Sequence, residues 1–160
     1  MNRFWPGLAF CILLASSSLA QVHGQELVGH WTCPAQVQLM AVGQNQLNLQ
    51  LNTRSHLRSD GSYESLGDAV VQFGLWPLTL AATSEGQWWR DGQQFTVTVE
   101  ALELSPGSTS AVEVQRLLIQ QIAALLPDFP HTQITQIVAE SASRLLLEDE
   151  FGRQYTCNRL

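Results

Sequence analysis

The sequence predicts an all-β fold, an eight-stranded antiparallel up-and-down barrel with one α-helix inserted between strands five and six. Three observations predict it. First, a period of two runs for a dozen residues, with Leu47, Leu49, Leu51, Thr53, Ser55 and Leu57 on one side. Asn48, Gln50, Asn52, Arg54, His56 and Arg58 fall on the other, the pattern of a half-buried antiparallel strand. Second, tight hairpin signals recur at Ser59-Asp60-Gly61, Asp91-Gly92 and Glu150-Phe151-Gly152. Third, two cysteine-bearing stretches stand far apart, Gly29-His30-Trp31-Thr32-Cys33 and Tyr155-Thr156-Cys157-Asn158-Arg159. Read as the first and last strands, antiparallel and joined by a disulfide, they close the sheet and remove its two long edges. If Cys33 opposes Cys157, the ladder also sets Trp31 opposite Arg159 on the same face. A guanidinium over an indole there contributes roughly 0.5–2 kcal/mol. Two unpaired buried thiols are the alternative.

Residues 1–20 read as a signal peptide. Arg3 precedes an apolar run from Leu8 to Ala15, and small side chains lead to Ser18-Leu19-Ala20. The run is too short for a membrane anchor. Cys11 raises a lipid-modified cysteine as the alternative, but bulky Phe10 precedes it and the apolar core continues beyond it. Cleavage before Gln21 leaves about 140 residues, 21–160, enough for one domain with a core. No second apolar run reaches membrane length, so no stable membrane insertion is expected. Export places the remaining cysteines where disulfides persist, in a periplasmic or extracellular setting. The mature chain carries seven arginines against 14 acidic residues and no lysine. Nucleic acid and anionic lipid are therefore poor partners, since both need a cationic footprint, and lysine-amine chemistry is excluded.

Strand one is expected from about Leu27 to Cys33, with Leu27, Gly29, Trp31 and Cys33 inward and Pro34 ending or bending it. The apolar piece from Val37 to Val42 is expected to be a loop or a continuation of that bend. Strand two is the alternating segment, and its three-residue loop opposes Leu57 to Tyr63 and His56 to Glu64. Strand three continues to about Phe73, Gly74-Leu75-Trp76-Pro77 is a turn, and strand four runs from Leu78 to Arg90. A two-residue Asp91-Gly92 loop would pair Trp88 with Phe95 and Trp89 with Gln94. Strand five then alternates through Phe95, Val97, Val99 and Ala101. The pattern changes at Ser105-Pro106-Gly107. Ser110 with Glu113 has the spacing of a capping box, and Val114, Leu117, Leu118, Ile122, Leu125 and Leu126 recur at helical spacing up to Pro127. This is an amphipathic helix of about sixteen residues. Its wide apolar stripe must cover something, either the outer barrel wall or an open mouth. Strands six (Thr132 to Glu140), seven (Arg144 to Asp149) and eight follow. The last loop opposes Leu147 to Tyr155 and Leu145 to Cys157.

At these residues the chain resembles the lipocalin-like part of the calycin superfamily. Gly29-x-Trp31 lies on the first strand and Arg159 on the last, while a second such tripeptide, Gly86-Gln87-Trp88, precedes the Asp91-Gly92 hairpin. With Asp60-Gly61-Ser62-Tyr63, the layout is similar to small exported bacterial lipocalin-like domains of unassigned function. The resemblance implies a barrel closed at the Trp31/Arg159 end, Gly29, Trp31 and Arg159 being structural, and a small apolar molecule held inside. The chain departs from the family in its shorter length and in a helix that precedes strand six rather than following the last strand.

The chemistry of catalysis is not legible. No nucleophile elbow, phosphate-cradling glycine loop, Cys-x-x-Cys or His-Glu-x-x-His is present, so no enzyme activity, cofactor or metal is expected. His56 with Glu64 could supply two metal ligands, with His30 nearby if strands one and two pair, against the alternative of a surface ion pair. Glu148-Asp149-Glu150 sits on a hairpin tip, a setting for solvated carboxylates rather than acid–base machinery. The expected function is an exported carrier or sensor whose lining is Leu47, Leu49, Leu51, Tyr63, Val71, Trp88, Phe95 and Val97. The alternative is an envelope interaction module gripping a protein partner through Trp76, Trp89 and the Arg54/Arg58 row.

Overall fold

The computed structural model describes residues 24–38, 48–73, 76–107 and 112–160. The expected signal peptide, Leu47, residues 39–42 of the expected bend, the Gly74-Leu75 step and the expected Ser110 cap lie outside them. A short 3-10 turn, Gln25–Leu27, precedes β1 (Gly29–Gln38), β2 (Asn48–Leu57), β3 (Ser62–Phe73), β4 (Trp76–Asp91) and β5 (Gln94–Pro106). Helix α1 (Val112–Ala123) follows, then β6 (His131–Glu140), β7 (Arg144–Glu148) and β8 (Gln154–Arg159). Each strand pairs with the next, and β8 returns to β1, so the sheet is a closed barrel.

Register follows the hydrophobic alternation at the hairpins closed by three-residue loops. Leu57 stands opposite Tyr63 and His56 opposite Glu64, while Leu147 faces Tyr155 and Leu145 faces Cys157. Gly61 and Gly152 end those loops at φ 84° and 75°. On the closing seam Trp31 pairs with Arg159, and Cys33 is bonded to Cys157 with their Cα atoms 4.3 Å apart.

Several expected boundaries are corrected. Leu27 belongs to the 3-10 turn, and β1 runs straight through Pro34 to Gln38. The reason is directional. The His30 carbonyl accepts the Leu160 N–H (2.9 Å), so residues 30, 32 and 34 turn their polar backbone groups toward β8. The β1–β8 ladder ends at Thr32, and the N–H that Pro34 lacks has no ladder partner to miss. The β4–β5 loop is Gly92-Gln93 rather than Asp91-Gly92. Asp91 pairs with Gln94, Arg90 with Phe95, Trp89 with Thr96 and Trp88 with Val97. Gly92, at φ 58°, takes the first loop position, where only glycine reaches positive φ without strain. Because the pairing slides by two residues, every side chain keeps its face. Trp76 and Pro77 join β4, opposite Phe73 and Gln72. Among the described residues helix α1 ends at Ala123 rather than running on to Leu126; Leu125 and Leu126 lie in the turn after it, both N–H groups reaching the Ile122 carbonyl. The weak alternation of β6 comes from a bulge between Ile137 and Ala139.

The interior holds two apolar storeys. At one end Leu27, Trp31, Leu57, Tyr63, Trp88, Phe95, Ile137, Leu145, Leu147 and Cys157 pack together. At the other, Leu49, Ala69, Val71, Leu80 and Ala82 pack around Ile122 of α1. The helix therefore covers the mouth of the barrel, with Leu118, Ile119, Leu125 and Leu126 against the same cluster.

Candidate functional site

The Trp31 end is built shut. The indole N–H of Trp31 donates to the Leu27 carbonyl at 2.7 Å, and the Arg159 guanidinium lies 4.4 Å over the ring. That guanidinium also donates to the carbonyls of Val28, at 2.9 Å, and Glu26. Gly29 adopts φ 136°, and a Cβ there would come within 3.0 Å of the guanidinium. Glycine thus meets a backbone and a steric demand together. Arg90 ties Glu26 of the 3-10 turn to Glu140 at the end of β6. The Trp88 indole N–H donates to the Arg58 carbonyl at 3.0 Å.

The expected lining residues divide between the storeys. Tyr63, Trp88, Phe95 and Val97 belong to the cluster at the Trp31 end. Leu49, Leu51 and Val71 belong to the α1 end. Leu47 lies outside the described residues. Between the storeys runs a small polar belt: Ser55 opposes Ser65, which opposes Ser84. The Ser55 hydroxyl donates to that of Ser65 at 3.3 Å. Burial pushes the Tyr63 phenol above its ordinary pKa.

Sequence reasoning did not pick out what completes the α1 end. Ala69 and Ala82 place small side chains at interior wall positions, and Ile122 packs against them. Gly67 instead serves the close approach of β2, since a Cβ there would meet the Asn52 and Thr53 backbone. The signal was present in the two alanines, small residues at inward positions of otherwise bulky strands.

The outer wall carries the polar residues. His30 stands opposite His56, His56 opposite Glu64, and Glu64 opposite Glu85. One step along, Thr32, Arg54, Leu66, Thr83 and Glu103 form the next row. The two imidazoles stack with centroids 4.1 Å apart. Glu64 is 2.7 Å from the Arg58 guanidinium and 3.6 Å from His56 Nδ1. The Arg58 hydrogen bond and charge hold the Glu64 carboxyl below its usual range. Among the described residues no three histidine, cysteine, aspartate or glutamate side chains converge as metal ligands. These rows line a groove of about 480 Å³, floored by Ser65 and Ser84.

Elsewhere on the wall Trp89 is 46% exposed and Ile134 49%, and they flank Thr96, which is buried between them. Trp76 enters β4 by its backbone, and its side chain lies outside the described residues. At the β7–β8 tip Asp149 is not a solvated carboxylate. It accepts the backbone N–H groups of Phe151 and Arg153 and the Arg153 guanidinium at 2.7–2.9 Å. No described helix is long and apolar enough to cross a membrane.

The comparisons with known proteins leave the fold as the ground for function: no protein-family model matches the chain, and no curated protein matches it.

Proposed function

We propose that the chain is an exported binding protein of lipocalin-like type that takes a small apolar molecule into the α1 end of its barrel. One observation carries this reading. The wall there offers Ala69 and Ala82 beside Leu49, Val71 and Leu80, and its volume is completed by a separate helix rather than by the barrel itself. Displacing α1 would leave an apolar cup. Burial of Ile122 is worth roughly 1.5–3 kcal/mol, and an apolar ligand covering the same wall offsets its loss. The Cys33–Cys157 bond supports export, since such bonds persist in oxidising compartments.

The test is titration of detergent-free protein with a fluorescent fatty-acid analogue, read alongside native mass spectrometry. Saturable binding of one molecule per chain is expected, and Ala69→Phe or Ala82→Phe, which fill the cup, should abolish it while the far-ultraviolet dichroism stays that of the barrel. Absence of saturable binding, or binding indifferent to both fillings, would overturn the reading.

A second reading, a module gripping an envelope protein through its outer wall, is favoured by the paired exposure of Trp89 and Ile134. Pull-down from periplasmic extract with wild type and Trp89→Ala discriminates. A partner retained equally by the variant would remove Trp89 from consideration.

A further inference from the structure

We propose that the outer groove across β1 to β5 is a second binding site, for a short linear peptide with free termini. The carboxylate of such a peptide would lie over Arg54 and the His30–His56 stack, and its ammonium between Glu85 and Glu103. The groove is bipolar by construction. His30, His56 and Arg54 come from β1 and β2, whereas Glu85 and Glu103 come from β4 and β5. Arg54, Glu85 and Glu103 stand in no ion pair among the described residues, in contrast to Glu64, which Arg58 engages. The poles do not neutralise each other. Three strand spacings of about 4.8 Å separate Arg54 from Glu103, about 14 Å in all, beyond the roughly 8 Å screening length of physiological salt.

The acidic pole is also arranged against its own interest. Glu64, though engaged by Arg58, stands directly opposite Glu85 across the β3–β4 ladder, a like-charge pairing that leaves Glu85 as the member with no cation of its own among the described residues. Between the poles lies Leu66, 64% exposed in a row that is otherwise polar. Anion receptor, apolar step and cation receptor thus follow one another in a line. An extended peptide of four residues spans at most about 14 Å, which matches the separation of the poles. The groove volume of about 480 Å³ lies within the range of small-ligand sites. The site is independent of the interior cup, because its charged residues point outward from the same strands.

The probe is the tetrapeptide Ala-Leu-Leu-Ala, followed by amide chemical-shift mapping and calorimetry, in three forms: free, N-acetylated and C-amidated. The free peptide should bind saturably and shift amides of β2 to β5, and blocking either end should weaken binding tenfold or more. Arg54→Gln should weaken the free peptide and abolish the discrimination against the C-amide. Glu85→Gln with Glu103→Gln should do the same for the N-acetyl form, and Trp89→Ala should change nothing. Equal binding of free and blocked peptides, shifts confined to the α1 end, or no saturable binding at millimolar peptide would each overturn the proposal. Because the fatty-acid titration reads a different cavity, either site can fail without the other.

Discussion

Asp149 and Arg159 show how single side chains fasten segments that the ladders alone do not hold. Asp149 organises the β7–β8 loop by accepting three hydrogen bonds from the loop itself. Burial works to raise its pKa, but the hydrogen bonds from Arg153 and Phe151, with the charge of Arg153, prevail and hold the carboxyl below its ordinary value of 3.8. A depressed folded-state pKa means that this contribution is present above 3.8 and is lost as the pH falls through the lower folded value. Asp149→Ala should therefore lower stability by about 1–3 kcal/mol at neutral pH and by progressively less in acid. Urea titrations of both proteins between pH 7 and pH 3 check it; a constant difference across that range would contradict the assignment. Arg159 combines the indole contact with charge-assisted bonds to two carbonyls of the 3-10 turn segment. Arg159→Met keeps much of the apolar stem and removes the rest, an expected loss of about 2–4 kcal/mol in chemical denaturation. Hydrogen exchange should rise first at Leu27 and Val28.

Helix α1 is the element on which the functional reading turns. It is short for an independent helix, and its stability must come from Ile122 and its neighbours packing into the barrel mouth. Ile122→Ala should cost about 2–4 kcal/mol if the helix and barrel unfold together. If α1 opens by itself, global stability should fall less, while exchange of its amides accelerates well before that of β2 and β3. Exchange measured by mass spectrometry separates these outcomes, and the second is what a gate requires. The face that α1 leaves outside includes Leu117, 65% exposed. It faces solvent on the side away from the cup.

At the scale of the whole molecule, closure is the dominant fact. The Cys33–Cys157 bond joins residues 124 apart in sequence and holds the seam between the first and last strands, which no loop connects. On the chain-entropy account such a cross-link contributes roughly 4–5 kcal/mol. Replacing both cysteines with serine should lower the thermal midpoint by many degrees and expose the edges of β1 and β8, checked by calorimetry and by light scattering on heating. An unchanged midpoint would show that the β1–β8 ladder and Arg159 suffice alone.

The division between what was legible in the chain and what was not follows interaction range. Alternation in β2, glycine-ended loops and two distant cysteines are local or pairwise signals, and they determined the barrel, its closure and the pairing of Trp31 with Arg159. Local signals do not measure energy differences between neighbouring registers, so the β4–β5 loop moved by one residue when Gly92 took the position only it could fill. Pro34 reads as a strand end until the position where the β8 ladder stops is known. Which strands stand beside each other on the outer wall, and hence that Arg54, Leu66 and Glu103 share one row, depends on registers accumulated across four strands. That α1 enters the mouth rather than lying on the wall was decided by volume. The interior alanines left a space that Ile122 fills, and a space is a property of packed neighbours rather than of any stretch of sequence.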